Sequence, residues 1–136
     1  MEHSIKISCS KDNLKEVRRY VANVLSGYPI SDSDKNLLTL AVDEICANLI
    51  IHTHKCDPTE FITLNIGREN DTLVFEIIDT GESFNLLNYE EKSIDEIVKE
   101  KRKGGLGIML VKRIMDDIQI YNAPSYNVCR LYKKIV

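Results

Sequence analysis

Apolar residues recur along this chain with two periods, and the points where the period changes divide it into elements. Ile5, Ile7 and Cys9 alternate with polar residues, the pattern of a short strand over Ile5 to Cys9. Ser10 then offers a side-chain oxygen to cap the helix that follows. In that helix Leu14, Val17, Val21, Val24 and Leu25 return at intervals of three and four, giving one apolar face opposite Lys15, Arg18 and Arg19. Gly27 and Pro29 end it. A second helix opens at Ser31, with Asp34 in the capping-box position, and extends to about His54. Leu37, Leu38, Leu40, Ala41, Val42, Ile45, Cys46, Ala47, Leu49, Ile50 and Ile51 occupy nearly its whole circumference, which predicts an interior helix.

Two strands follow, Phe61 to Gly67 and Thr72 to Ile78, and Arg68-Glu69-Asn70-Asp71 between them suits a hairpin turn. The second strand runs into Asp79-Thr80-Gly81. From Glu82 to about Lys103 the pattern is polar and irregular, with one or two helical turns around Ile94 to Val98. A stretch of that length in a compact domain usually closes over something. Gly104-Gly105-Leu106-Gly107 opens a third helix whose buried face is Leu106, Leu110, Val111 and Ile114. Strands around Ile118 to Asn122 and Asn127 to Ile135 turn at Ala123-Pro124-Ser125. The expected fold is α+β, a two-layer sandwich with helices on one face of a mainly antiparallel sheet, forming a single domain over 1–136.

Composition narrows the classes. With 136 residues, 43% hydrophobic and 29% charged, the chain can bury a core of its own. No apolar run approaches the roughly 20 residues of a membrane span, and the N-terminus lacks the basic-then-apolar order of a secretory signal, so a cytoplasmic protein is expected. A net charge of -3 speaks against nucleic acid as a partner. Lys99, Lys101, Arg102 and Lys103 nevertheless form a basic run just before the glycine cluster, which suits a small anionic ligand; a solvated loop edge is the alternative. Cys9, Cys46, Cys56 and Cys129 include no CxxC pair, so disulfide and zinc readings are poor.

Three features carry candidate chemistry. Glu44, Asn48 and His52 are spaced by four and form a narrow polar stripe on an otherwise apolar helix. Something polar must face it, either a ligand or a neighbouring loop, because an unpartnered buried polar group costs on the order of 1 to 3 kcal/mol. Asp79, an acceptor-only carboxylate beside Gly81, suits an exocyclic amino group such as that of adenine, although a strand ending in Asp and Gly is commonly a plain turn. Gly104, Gly105 and Gly107 at a helix start present backbone N–H groups to phosphate oxygens, or make a tight turn. The sequence there is neither a Walker A loop nor a dinucleotide fingerprint.

In their order and separation these features resemble the motif series of the GHKL ATPases, the group of gyrase, Hsp90, histidine kinase and MutL. Glu44-Ile45-Cys46-Ala47-Asn48 with His52 looks like the N box, Asp79-Thr80-Gly81 like the first glycine box, and Gly104-Gly105-Leu106-Gly107-Ile108 like the second. Within that family the likeness is greatest to the anti-sigma-factor serine kinases of the RsbW and SpoIIAB type, which share this length and the look of Asp79-Thr80-Gly81-Glu82-Ser83-Phe84. Two departures stand out: Ser83 where a second glycine is common, and Ser125-Tyr126-Asn127 where relatives place a Gly-Thr pair.

The resemblance implies an ATP-dependent protein serine kinase and anti-sigma factor. By it, Asn48 holds a Mg²⁺ bridging the ATP phosphates, Asp79 reads the adenine amino group, and Glu44 is the general base or orienting group. His52 and Gly81 also line the nucleotide site, and Gly104, Gly105, Leu106 and Gly107 shape a lid, about 82–104, over the phosphates. Arg102 or Lys103 touches the terminal phosphate. The implied partners are a STAS-type anti-sigma-factor antagonist as substrate, a sigma factor, and a second copy in a homodimer. A non-catalytic ATP-binding switch and a stand-alone histidine-kinase-like catalytic domain are the alternatives.

Overall fold

The computed structural model describes residues 2–80 and 105–135, without the side chains of 105–108. The expected lid over 82–104 and its helical turns lie outside the described residues. Strand β1 (His3–Ser8) is followed by a single 3-10 turn (Lys11–Asn13), helices α1 (Leu14–Leu25) and α2 (Asp32–Asn48), and a π-helical turn (Leu49–Thr53). Strands β2 (Phe61–Glu69) and β3 (Thr72–Asp79), helix α3 (Gly105–Ile114), and strands β4 (Asp117–Asn122) and β5 (Asn127–Lys134) complete the described chain. The strands form one five-stranded sheet in the order β1-β2-β3-β5-β4. Every neighbouring pair is antiparallel. The α+β arrangement read from the sequence is the one observed.

Local chemistry accounts for most boundaries. Asn70 adopts a left-handed φ of 55° in the turn that pairs Glu69 with Thr72, a conformation that Asn tolerates better than most residues. The Ser31 hydroxyl accepts a hydrogen bond from the Asp34 N–H at 3.1 Å and starts α2 as expected. Ser10 does not act as the expected side-chain cap. A 3-10 turn intervenes, the Ser10 carbonyl accepts from the Asn13 N–H, and α1 begins only at Leu14.

The core lies between the helices and one face of the sheet. Alternate residues of the strands, Leu64 and Ile66 from β2, Phe75 and Ile77 from β3, and Leu131 from β5, meet Val17 and Val21 of α1, Ile45 of α2 and Val111 of α3. Helix α2 packs between α1 and α3. Flanked this way it buries less of its circumference than its composition predicts: Leu37 is 41% and Leu40 39% exposed. Leu110, expected on the buried face of α3, is likewise 36% exposed. With Leu37, Leu38 and Ile114 it borders a shallow groove between α2 and α3 instead of entering the core. No helix among the described residues is long and apolar enough to cross a membrane.

Phe75 is fully buried in this layer. Phe75→Ala should therefore lower the unfolding free energy by about 3 to 5 kcal/mol in denaturant titrations, whereas Leu110→Ala should stay within about 1 kcal/mol of the parent.

Candidate functional site

The last turn of α2 carries a polar residue where its neighbours at helical spacing, Ala41 and Ile45, belong to the core. Asn48 is only 2% exposed. Its Nδ2 donates to the Glu44 backbone carbonyl at 2.7 Å, and its Oδ1 is buried with no donor among the described residues. One turn earlier, Glu44 is half-buried and its carboxylate makes no hydrogen bond or ion pair among the described residues. Burial, and secondarily the charge of Asp43, holds that carboxyl above its ordinary range. Asp43 itself contacts Arg18 at 3.1 Å, yet burial outweighs the guanidinium and its carboxyl is also raised.

Beyond Asn48 the helix changes pitch. The His54 N–H reaches the Leu49 carbonyl five residues back at 2.9 Å, so this turn holds one residue more than an α turn. A four-residue spacing no longer keeps side chains on one line there. His52 is exposed, on the rim of a hollow of about 780 Å³ shared with Thr53, His54, Lys55, Glu60 and Thr80. His54 turns inward instead and is 4% exposed. Its Nδ1 lies 2.9 Å from Glu60 Oε2 and its Nε2 3.2 Å from Asp79 Oδ1. Lys55 and Cys56 then take left-handed φ values of 51° and 59°, reversing the chain toward β2.

Asp79 closes β3 and is 3% exposed. It follows Leu73, Phe75 and Ile77 on the core-facing side of the strand, paired with Ile62 on β2 and Asn127 on β5. Together with Thr80 and Glu60 it lines a smaller hollow of about 390 Å³. Another hollow, about 770 Å³ and bounded by Glu76, Tyr121, Tyr126 and Arg130, opens on the sheet face away from the helices and is separate from this polar group. Gly105, Leu106 and Gly107 form the first turn of α3, which packs on α2. Gly81, Arg102, Lys103 and Gly104 lie outside the described residues.

The structure thus joins Glu44 to Asn48 on one helix and sets Asp79 against a residue that the sequence reading passed over, His54. Residue types give no warning of a π turn, so a strict four-residue step selected His52. For a metal, no group of three His, Cys, Asp or Glu side chains is available among the described residues. The buried, donorless Asn48 oxygen does fit Mg²⁺, which is commonly held by one or two protein oxygens plus substrate phosphates. The cysteines are free thiols, and burial pushes Cys9 up to about 11 and Cys129 up to about 12, as expected of inert filler.

Comparison with known proteins adds a family. The model described as "Histidine kinase-like ATPase domain" matches residues 7–133. A curated relative, the serine-protein kinase RsbW of Bacillus mycoides (strain KBAB4), is 31% identical over 128 residues, covering 91% of this chain and 79% of the relative. Among solved structures, the RsbU and RsbW domains of a Mycobacterium tuberculosis protein superpose with a TM-score of 0.68 at 13% identity, over 98% of this chain and 32% of that one. The SiaB-SiaC complex of Pseudomonas aeruginosa gives a TM-score of 0.65 at 14% identity, over 97% of this chain and 89% of that one.

An orphaned buried acceptor costs about 1 to 3 kcal/mol, more than the single hydrogen bond made by the other end of the same amide contributes. Asn48→Leu should accordingly raise the stability of the ligand-free protein by about 1 kcal/mol in denaturant melts. A fall in stability would mean that the amide oxygen already has a partner.

Proposed function

The chain belongs to the family of histidine kinase-like ATPase domains, and from that premise we propose that it is an ATP-dependent protein serine kinase and anti-sigma factor, phosphorylating a STAS-type anti-sigma-factor antagonist in a partner-switching pathway. The observation that carries the reading is the Asn48 oxygen, with no donor among the described residues, one helical turn from the half-buried carboxylate of Glu44, which has no partner among them either. Two polar groups left open at the edge of a core are costly unless a ligand completes them. A serine-protein kinase among the relatives, matched over most of both chains, supports the same reaction class.

In the proposed reaction ATP is a substrate. The serine Oγ of the partner protein forms a bond to the γ-phosphorus, the bond from that phosphorus to the β–γ bridging oxygen breaks, and ADP departs. Glu44 accepts or orients the hydroxyl proton, a task favoured by a carboxyl raised toward working pH. Mg²⁺, held by Asn48 Oδ1, would offset negative charge on the phosphoryl oxygens when bound. Asp79 accepts a hydrogen bond from the adenine amino group, with His52 and Gly81 beside it. Gly104, Gly105, Leu106 and Gly107 present backbone N–H groups to the phosphates, and Arg102 or Lys103 reaches the terminal one. A sigma factor, a second copy of the chain and a cytoplasmic location complete the proposal.

Incubation with Mg-ATP and candidate antagonists should yield phosphoserine detectable by mass spectrometry. Glu44→Gln should reduce transfer by about 10²- to 10⁴-fold while ATP still raises the melting temperature. ATP binding without transfer to any STAS-type protein would overturn the kinase reading in favour of a non-catalytic switch. Since Glu44 works only when ionised, kcat/KM, which reports the ligand-free protein, should fall toward acid with a midpoint above the ordinary glutamate range. The fold binds the Glu44 proton more tightly than the unfolded chain does, so this group's contribution to stability is present when protonated and lost as pH rises. Glu44→Gln should remove that loss, a difference that calorimetric melts across the carboxylate range would register.

A further inference from the structure

Three segments converge on the end of β3. The residue that ends the π turn is His54, the segment before β2 contributes Glu60, and the strand itself contributes Asp79. The imidazole is 1% exposed and meets a carboxylate at each nitrogen, Glu60 at 2.9 Å and Asp79 at 3.2 Å. Each ring nitrogen thus faces a carboxylate oxygen, and which of the two donates depends on the tautomer. Glu60 is tethered in turn: the Asp57 carboxylate accepts from the Thr59 N–H at 2.9 Å and the Thr59 hydroxyl at 2.7 Å, and the Asp57 carbonyl accepts from the Glu60 N–H at 3.1 Å. A side chain placed this way does more than fill space, because a hydrophobe of similar volume would pack there without fixing a carboxylate's rotation.

We propose that His54, braced by Glu60, is a positioning residue that sets the orientation of the Asp79 carboxylate and thereby the protein's preference for adenine over guanine nucleotides. The inference rests on the reading that Asp79 accepts from the adenine amino group. Guanine carries an acceptor oxygen at the same ring position, so a carboxylate held at a fixed angle rewards adenine and repels guanine. Without the His54 contact the carboxylate is held less firmly, which weakens both effects. The left-handed residues Lys55 and Cys56 are the strained reversal that lets the segment carrying Glu60 return against the His54 ring.

The test compares binding of ATP and GTP, each with Mg²⁺, to the full chain and its variants by calorimetry. His54→Phe should reduce the ATP:GTP affinity ratio at least tenfold, and His54→Gln, which keeps an N–H donor, should hold it within about threefold of the parent. Should His54→Phe fail to fold, Glu60→Ala decides at a half-exposed position, with an expected threefold or greater loss of the ratio. A ratio unchanged in His54→Phe, or in Glu60→Ala where that variant decides, overturns the inference. Equal loss in the Gln and Phe variants also overturns it by making His54 merely structural. Asp79→Asn separates the two levels: if the parent discriminates and Asp79→Asn does so equally, the adenine reading itself is wrong.

Discussion

A buried amide oxygen with no donor among the described residues, at Asn48, is the constraint around which the site is organised. The interior gains most of its stability from removing apolar surface from water, and a polar atom in that layer forfeits solvation without recompense. Asn48 occupies such a place, on the interior side of α2 and within one turn of Ile45. The other end of the amide is satisfied by the helix's own Glu44 carbonyl, which orients the side chain and leaves the oxygen as the end still to be met. Glu44 compounds the cost, since its carboxyl is half-withdrawn from water and lies near the charge of Asp43. A helix assembled for stability alone would place hydrophobes at both positions.

The π turn extends that constraint to the opposite end of the site. By inserting one residue into the pitch, it turns His52 out to solvent and His54 in toward β3. The polar groups therefore come from two separate lines, Glu44 with Asn48 on the α part of the helical segment and His54 at the cap that ends its π part. Asp79 is approached across the sheet layer, where it continues the core-facing row of β3. At the end of that row the His54 ring faces the Asp79 carboxylate at 3.2 Å.

The strands and helices were legible because their periods are simple and their turn residues informative: Asn70 in the hairpin and Ser31 at the start of α2 both act through their own side-chain chemistry. Ser10 was misread because the first turn after it is a 3-10 turn that uses the backbone carbonyl, a choice that composition does not record. Leu37, Leu40 and Leu110 were misplaced for a different reason. Hydrophobicity says that a residue can be buried, whereas the number of neighbouring helices decides how many such residues are. Within the site, Glu44, Asn48 and Asp79 stood out as polar residues in apolar runs. His54 did not, since it falls where the apolar run has ended and its partners lie in other segments.

Core and site are one layer differing only in residue type. The row Leu73, Phe75 and Ile77 continues into Asp79, and the row Ala41 and Ile45 continues into Asn48, so each functional side chain inherits its direction from the hydrophobes before it. Rigidity is transmitted in the same way, because well-packed residues fix the backbone from which the polar groups project. The cost of Asn48 and Glu44 is offset by the interior they extend, in which Ile45, Leu64, Phe75 and Leu131 are fully buried. A buried side chain of that kind contributes about 1.5 to 3 kcal/mol, so one or two such residues offset one unsatisfied acceptor. The fold can thus carry an incomplete polar site without losing its structure, and a ligand that supplies the missing partner binds to groups already oriented and already desolvated.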